Sequence, residues 1–171
     1  DLNSNPTLVP AQFDIMVERR RKVYEIIEKV KDCRLIAVTL GLIEAWYDKE
    51  NDVYFNMTPV PRMWKNYKDR FELHVIGYEE NISNLEKIYN LLMSHSIKNV
   101  EIVVTVSPIP LQTTYTQNDI VVANMYSKSV LRAAADKWAS MHENVHYYPS
   151  YEIVVCSDQD IIWEEDKRHL K

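Results

Sequence analysis

Two short apolar segments, Leu35–Leu40 and residues 100–106, constrain the fold of this chain more than any other feature. Both are rich in branched apolar residues, and each contains a single threonine. Runs of this kind and length are typical of strands that are buried on both faces of a parallel sheet. We therefore predict that the two segments form adjacent, parallel, central strands.

Helical patterns of apolar residues alternate with these strands. The first spans residues 13–31, where apolar side chains recur at helical spacing. The second lies near Ser83, whose Ser-x-x-Glu spacing to Glu86 matches a capping box, and the third spans residues 126–141. This alternation predicts an α/β fold with right-handed crossovers and a mostly parallel sheet between helix layers.

The remaining segments are less regular. Residues 47–71 combine aromatic residues, prolines and charges without clear periodicity, which predicts a long loop. Residues 145–148 are a short strand candidate, and residues 151–155 either extend that strand past Pro149 or form another. The length of 171 residues suits one domain, and no repeat or linker divides it, so we expect a single α/β domain over residues 1–171.

The composition argues against several classes of function. The net charge of -5 disfavours a nucleic-acid or anionic-membrane partner, and the longest apolar runs are too short for a membrane span. With only Gly41 and Gly77 as glycines, the chain has no glycine-rich phosphate-binding loop, and we expect no cofactor. Two cysteines, Cys33 and Cys156, make no disulfide framework, which favours a cytoplasmic location.

An acid stands three positions before a histidine near the C-terminus, at Asp166 and His169. On one turn their side chains can share a hydrogen bond. The carboxylate then fixes the imidazole tautomer and stabilises the positive charge that a general base gains. Such a pair is two members of a hydrolytic triad, whose third member is a serine or a cysteine. The same spacing also arises by chance on solvated helical turns.

Three segments that follow predicted strands should meet at one edge of the sheet. They are residues 41–46, residues 107–111 and the C-terminal tail. In parallel α/β folds, ligands bind where the C-terminal ends of the strands meet. We therefore predict that Gly41, Ser107 and His169 border a common cleft, which favours the catalytic interpretation of the tail.

Four sequence blocks occur in a distinctive order: residues 39–46 (TLGLIEAW), 105–111 (TVSPIPL), 127–132 (SKSVLR) and 148–153 (YPSYEI). Together they resemble the GSCFA-domain family, which is similar to the SGNH (GDSL-like) esterases and acyltransferases. The resemblance runs from Leu35 to His169. It implies a three-layer α/β/α sandwich of the SGNH-hydrolase or flavodoxin-like kind, and a serine-based acyl-transfer centre.

The SGNH layout assigns roles to individual residues. Asp166 and His169 correspond to its closing Asp-x-x-His block, with His169 as general base and Asp166 as the acid that orients it. Gly41 corresponds to a glycine whose backbone N–H stabilises an oxyanion, although a glycine that only permits a tight turn explains it equally. Ile43 and Glu44 stand where an asparagine and an aspartate are expected. Glu44 either orients the site or makes a structural hydrogen bond.

The chain lacks the Gly-Ser-Cys-Phe-Ala motif that gives the family its name and to which its nucleophile is assigned. We therefore expect one of two situations. The chain is the larger, C-terminal part of a GSCFA domain whose serine lies outside it, or it is a relative that has lost the nucleophile. In both cases the chain alone should be inactive. An upstream segment or an oligomer partner would then cover the bare side of the sheet.

Further residues are candidates for substrate binding. Ser107 lies at a strand end, and Lys128 and Arg132 lie one helical turn apart. The two cations either bind an acyl or sugar-phosphate anion or belong to a solvated helix face. Four serines have no Gly-x-Ser-x-Gly context, which favours capping and turn roles over that of a nucleophile. These are Ser107, Ser127, Ser129 and Ser150.

Two other features near the C-terminus favour structural interpretations. Cys156 follows an apolar segment and is predicted to be a buried hydrophobic residue. The acidic residues beyond it match no standard metal-ligand spacing, which favours a solvated tail over a metal site.

The sequence leads to two hypotheses of function. The first is an SGNH-like serine esterase or acyltransferase that acts on a small-molecule or carbohydrate ester. The second is a non-catalytic binding or interaction domain, since a fold does not fix a function. A gene that continues upstream into a Gly-Ser-Cys-Phe-Ala strand would favour the first.

Overall fold

The fold consists of two small sheets and the helices that connect and cover them. The computed structural model describes residues 11–67, 69–96, 99–166 and 169–171. Its helices are α1 (Phe13–Glu28), α2 (Pro61–Asn66), α3 (Tyr78–His95), α4 (Ile120–Met141), α5 (Ser150–Val155) and α6 (Gln159–Ile162), and a 3-10 turn, Lys29–Asp32, follows α1. Its strands are β1 (Leu35–Leu40), β2 (Glu44–Asp48), β3 (Val53–Phe55), β4 (Phe71–Val75), β5 (Glu101–Val106) and β6 (Val145–Tyr147).

Strands β1, β5 and β6 form a parallel sheet in the order β1-β5-β6. Leu35 pairs with Glu101 at one end of the β1–β5 ladder, and Leu40 pairs with Val106 at the other. The prediction that these two segments are adjacent and parallel is confirmed. Strand β5 is central, as predicted. Strand β1, by contrast, lies at an edge of the sheet formed by the described residues.

One face of the parallel sheet forms the core. Ile102, Val104 and Val106 of β5 are fully buried, whereas the residues between them are exposed or partly buried, and β1 alternates in the same way. Leu85 of α3 and Trp138 of α4 pack against this buried face. Because both helices cover the same face, the prediction that the strands are buried on both faces is wrong for the described residues.

Helix α1 does not supply a second helical layer. None of its residues is buried, and Phe13 is 81% exposed. Within the described ranges, its extensive contacts are with the 3-10 turn that follows it. Ala37 and Thr39 of β1 are likewise exposed. The mixed α/β class is therefore confirmed, but the three-layer α/β/α sandwich is not.

The segment 47–71, where the sequence predicts a loop, contains strand β3 and helix α2 and is flanked by strands β2 and β4 of an antiparallel sheet. Strands β2, β3 and β4 pair in the order β3-β2-β4. Asp52, in the turn between β2 and β3, has a left-handed φ of 53°. Trp46, Asp48 and Phe71 are buried in this sheet. The loop prediction is wrong because the strands are too short, and too interrupted by proline and charge, to give a clear period-two pattern.

Two helices begin earlier than their sequence patterns predict. Helix α3 begins at Tyr78, so Ser83 lies inside it and does not form the predicted capping box. Helix α4 begins at Ile120, because Asp119 caps it by accepting a hydrogen bond from the Val121 N–H. The first turn of α3 is largely polar, whereas that of α4 is a continuous apolar run over residues 120–123, and neither shows the helical spacing of apolar residues.

Helix α5 replaces the strand that was considered for residues 151–155. The hydroxyl of Ser150 donates to the backbone carbonyl of Val106 at 3.0 Å, which holds the start of this helix against the carboxyl end of β5. The short strand predicted over residues 145–148 is confirmed as β6.

Candidate functional site

The segments that follow β1 and β5 enclose a groove at the carboxyl edge of the parallel sheet. The Ser107 N–H donates to the Leu40 carbonyl at 2.8 Å, which holds the two segments side by side as they leave the sheet. A groove of about 370 Å³, the strand-end groove, is lined by Gly41, Leu42, Ser107, Ile109, Pro110 and Tyr115, among others. Two of the three residues predicted to share a cleft, Gly41 and Ser107, therefore do so.

Two buried side chains of α4 fix the chain that leaves β1. The Lys128 ammonium donates to the Gly41 carbonyl at 2.8 Å, and the Ser127 hydroxyl accepts from the Ile43 N–H at 3.1 Å. Lys128 is only 1% exposed, and this burial lowers the pKa of its amine to about 8. Lys128 therefore does not lie on a solvated face of the helix. Sequence reasoning missed this bond because its partners are 87 positions apart.

Gly41 has no local steric need to be glycine. A Cβ added there would meet no atom within 4 Å, and no glycine of the described residues has a positive φ. Neither the backbone conformation nor the space around Gly41 therefore requires a glycine, and its role as an oxyanion donor or in a tight turn stays a prediction. Open space beside the backbone is what an approaching ligand requires.

Glu44 makes structural hydrogen bonds at the start of β2. Its carboxylate accepts from the Thr114 hydroxyl at 2.6 Å and from the Tyr115 N–H at 2.9 Å. These bonds tie the loop after β5 to the antiparallel sheet. Glu44 therefore makes the structural hydrogen bonds that were one of its two predicted roles, and its catalytic role stays a prediction.

A second cavity, of about 460 Å³, adjoins the strand-end groove. We call it the aromatic cavity, and Leu42, Leu111 and Tyr115 line both spaces. On its inner side lies Trp46, whose ring is 4.7 Å from that of Trp64 and 5.3 Å from that of Tyr115, centroid to centroid. Sequence reasoning missed this cavity because it treated β2 and β3 as loop.

Asp166 and His169 form the hydrogen-bonded pair that the sequence predicts. Asp166 accepts a hydrogen bond from the His169 backbone N–H at 3.0 Å, and its other carboxylate oxygen bonds the His169 Nδ1. The pair lies on a small turn closed by a bridge between Trp163 and Leu170. Both side chains are exposed. His169 is not among the residues that line the strand-end groove.

Arg132 is held by acidic partners on two helices. Its guanidinium donates to Glu152 at 2.5 Å and to Asp136 at 3.1 Å, and it lies over the Tyr147 ring at 4.0 Å. Burial and the neighbouring Glu152 raise the pKa of the Tyr147 hydroxyl above its ordinary value. Lys128 and Arg132 both line a third cavity of about 410 Å³, and their role in substrate binding stays a prediction.

The remaining candidates have local partners. Ser129 donates to the Met125 carbonyl, and the Ser107 hydroxyl accepts from the Ile109 N–H. Cys156 is exposed, so the prediction that it is buried is wrong. The turn after α5 carries it outside the core. Among the described residues, no group of three or more His, Cys, Asp or Glu side chains is placed to hold a metal ion.

The comparison with protein families decides the relationship suggested by the four sequence blocks. The GSCFA family model matches residues 7–171. The chain belongs to the GSCFA family. No curated protein and no solved structure gave a significant match. In the described part of this GSCFA domain, no helix is both long and apolar enough to cross a membrane.

Proposed function

We propose that this GSCFA domain is the acid–base part of a serine esterase or acyltransferase, with the serine nucleophile supplied from outside these 171 residues. The observation that carries the proposal is the hydrogen-bonded pair of Asp166 and His169. Family membership and the open strand-end groove support it. In this role His169 is the general base and Asp166 orients its ring.

Each group then has a defined part in acyl transfer. The imidazole of His169 accepts the serine proton as the serine oxygen attacks the ester carbonyl carbon, and it returns that proton to the departing alkoxide. Water, or an acceptor alcohol, reverses these steps to release the acyl group. The bond between Asp166 and Nδ1 leaves Nε2 as the nitrogen for proton transfer. The Gly41 backbone N–H stabilises the negative oxygen of the tetrahedral intermediate.

The proposal makes a geometric demand on the tail. His169 is exposed on its own turn, so its Nε2 must reach the strand-end groove once the nucleophile is in place. A strand added beside the outer edge of β1 would bring a serine to the carboxyl edge of the sheet, next to Gly41.

The test is hydrolysis of p-nitrophenyl acetate by the 171-residue chain and by a longer protein in which a Gly-Ser-Cys-Phe-Ala segment precedes it. Each is assayed as wild type, as His169→Ala and as His146→Ala. His146 is a matched control, since it is also exposed and pairs with an acid, Glu101, at 2.8 Å. We expect turnover only by the longer protein. His169→Ala should lower it by orders of magnitude, up to about a million-fold, and His146→Ala should not.

Two results would contradict the proposal. If the 171-residue chain hydrolyses the ester, and still does so after His169→Ala, then His169 is not the general base and no external nucleophile is needed. A longer protein that is folded but inactive would favour the second hypothesis, a non-catalytic binding domain. The absence of a Gly-Ser-Cys-Phe-Ala motif from the chain is the observation that keeps this second hypothesis open.

A further inference from the structure

The aromatic cavity has the position of a substrate pocket beside the strand-end groove. The two spaces adjoin, since Leu42, Leu111 and Tyr115 are among the residues that line both. The volume of about 460 Å³ lies within the range of small-molecule sites, which is roughly 300–1,000 Å³. A substrate whose reacting carbonyl lies beside Gly41 would therefore extend one of its substituents into the aromatic cavity.

The chemistry of the cavity wall favours an apolar substituent. Most of its lining residues are apolar, namely Leu42, Ala45, Trp46, Phe55, Met57, Leu111 and Tyr115, and the others are Glu44, Asn56, Thr58 and Thr113. Several are exposed where they border the cavity: Leu42 is 52% exposed, Met57 is 41% exposed and Tyr115 is 45% exposed. Covering such a patch with an apolar ligand is favourable, and the flexible thioether of Met57 can adapt to its shape.

The same wall is unsuited to a charged or phosphorylated group, so the carboxylate of a bound fatty acid would stay outside the cavity while its chain lies inside. Among the described residues, no lysine, arginine or histidine lines it. The one carboxylate among those lining residues, that of Glu44, already accepts hydrogen bonds from the Thr114 hydroxyl and the Tyr115 N–H. A ligand placed here therefore gains no ion pair from the described lining residues.

The arrangement of the rings disfavours a stacked sugar. Sugars bind proteins through the flat faces of aromatic rings, but the indole of Trp46 is only 9% exposed. Trp64 and Tyr115 meet it nearly at right angles, with interplanar angles of 84° and 76°. Trp46 therefore presents little ring face to the cavity and acts as part of an apolar wall.

We propose that the aromatic cavity binds the hydrocarbon chain of the acyl group, so that this GSCFA domain cleaves esters of medium-length or longer unbranched acids faster than it cleaves acetyl esters. The catalytic part of this statement rests on the proposed function. The binding part depends only on the cavity, so it can be measured without turnover.

The experiment measures binding of decanoate to the 171-residue chain, by tryptophan fluorescence and by isothermal titration calorimetry. Acetate and N-acetylglucosamine are the comparison ligands. The variants Leu42→Asp and Met57→Glu place a charge at the mouth of the cavity, on side chains exposed enough to be changed without disturbing the fold. Ile26→Asp, on the 66% exposed Ile26 of α1, is the matched control for adsorption to other apolar surface.

We expect saturable binding of decanoate and none of acetate or the sugar at equal concentration. Leu42→Asp and Met57→Glu should each weaken decanoate binding at least tenfold, and Ile26→Asp should leave it unchanged. No saturable binding, equal binding by all variants, or loss of binding in Ile26→Asp would overturn the acyl site.

The inference and the proposed function fail in different ways. Decanoate binding with the expected variant effects, in a domain whose longer form cleaves no ester, would keep the acyl site and remove the catalytic proposal. Ester turnover that depends on His169 but is no faster with decanoyl than with acetyl esters would support the catalytic proposal and contradict the acyl site.

Discussion

Helices α1 and α4 both have apolar residues at helical spacing, but their environments are opposite. In α4, residues such as Leu131, Ala134 and Trp138 are almost completely buried against the parallel sheet. In α1 no residue is buried, and Ile26 and Ile27 are 66% and 56% exposed. The comparison shows that apolar periodicity predicts a helix and its apolar face, but not whether anything covers that face.

Strands β5 and β1 repeat the same contrast. Strand β5 has a partner on each side, and its core-facing residues are fully buried. Strand β1 is an edge strand, and Leu35 is 61% exposed. Within the described part of the chain, α1 thus has exposed apolar residues and β1 has an unpaired strand edge.

The largest expected effect on stability comes from truncating a buried residue of α4. The matched comparison truncates an exposed residue of α1. Trp138→Ala should lower the free energy of unfolding by about 3–5 kcal/mol, because it leaves a large cavity in a closely packed core. Ile27→Ala, on α1, should lower it by less than about 0.5 kcal/mol, because that side chain is already exposed to water. Urea unfolding followed by circular dichroism measures both. An equally large loss in Ile27→Ala would show that α1 is covered in solution.

A second contrast concerns ion pairs. Asp48 is completely buried, and the Arg70 guanidinium donates to both of its oxygens at 2.7 Å. Glu18 pairs with Arg21 at 2.8 Å on the exposed surface of α1. Asp48→Asn should lower the urea midpoint clearly, by less than Trp138→Ala does, because Arg70 loses its buried partner. Glu18→Gln should cause no measurable change.

The pH dependence of the Asp48 effect gives a sharper test. Hydrogen bonds from Arg70 hold the pKa of Asp48 far below its ordinary value, despite the opposing effect of burial. The unfolded value is about 3.9, so the stabilisation is complete above that pH and is lost as pH falls below it toward the folded value. The unfolding curves of wild type and Asp48→Asn should therefore converge in acid. A constant difference down to pH 2 would contradict the assignment.

The fold was predictable where local signals agree with the tertiary structure. The parallel pairing of β1 and β5 followed from two apolar runs separated by a helix. The sequence did not reveal which faces of β1 and β5 are buried, because this depends on where helices α3 and α4 pack. The antiparallel sheet was missed because β3 is only three residues long, and because turns and prolines separate β2 from β4 in the sequence.

The candidate site divides in the same way. The bond between Asp166 and His169 was predictable, because residues three positions apart share a turn. The bond from Lys128 to Gly41 was not, because a lysine on an amphipathic helix is normally solvated and nothing local marks this one as buried. Contacts between distant segments form the groove and the aromatic cavity, and one sequence does not reveal them.

The smallest expected effect compares lysines on the two helices. Lys128 of α4 is buried with a pKa of about 8, whereas lysine in an unfolded chain has a pKa of about 10.4. Between these pH values the unfolded chain binds more protons than the folded one, so burial of this amine makes the free energy of unfolding rise with pH. Below pH 8 both states are protonated and the contribution is constant. Lys128→Met lacks this dependence.

The measurement is urea unfolding of wild type, Lys128→Met and Lys22→Met at several values between pH 7 and 10.5. Wild type should gain on the order of 1 kcal/mol relative to Lys128→Met across this range, less than the full pKa difference implies, because Lys128 also lines an open cavity. Lys22→Met replaces a lysine on the exposed face of α1, so it should change the free energy of unfolding little at any of these pH values. Tyr147 and the other groups that titrate at alkaline pH are present in all three proteins, so their contributions to the pH dependence cancel in the comparison. Parallel curves for wild type and Lys128→Met would show that the ammonium is hydrated, and that its bond to Gly41 does not fix the edge of the groove.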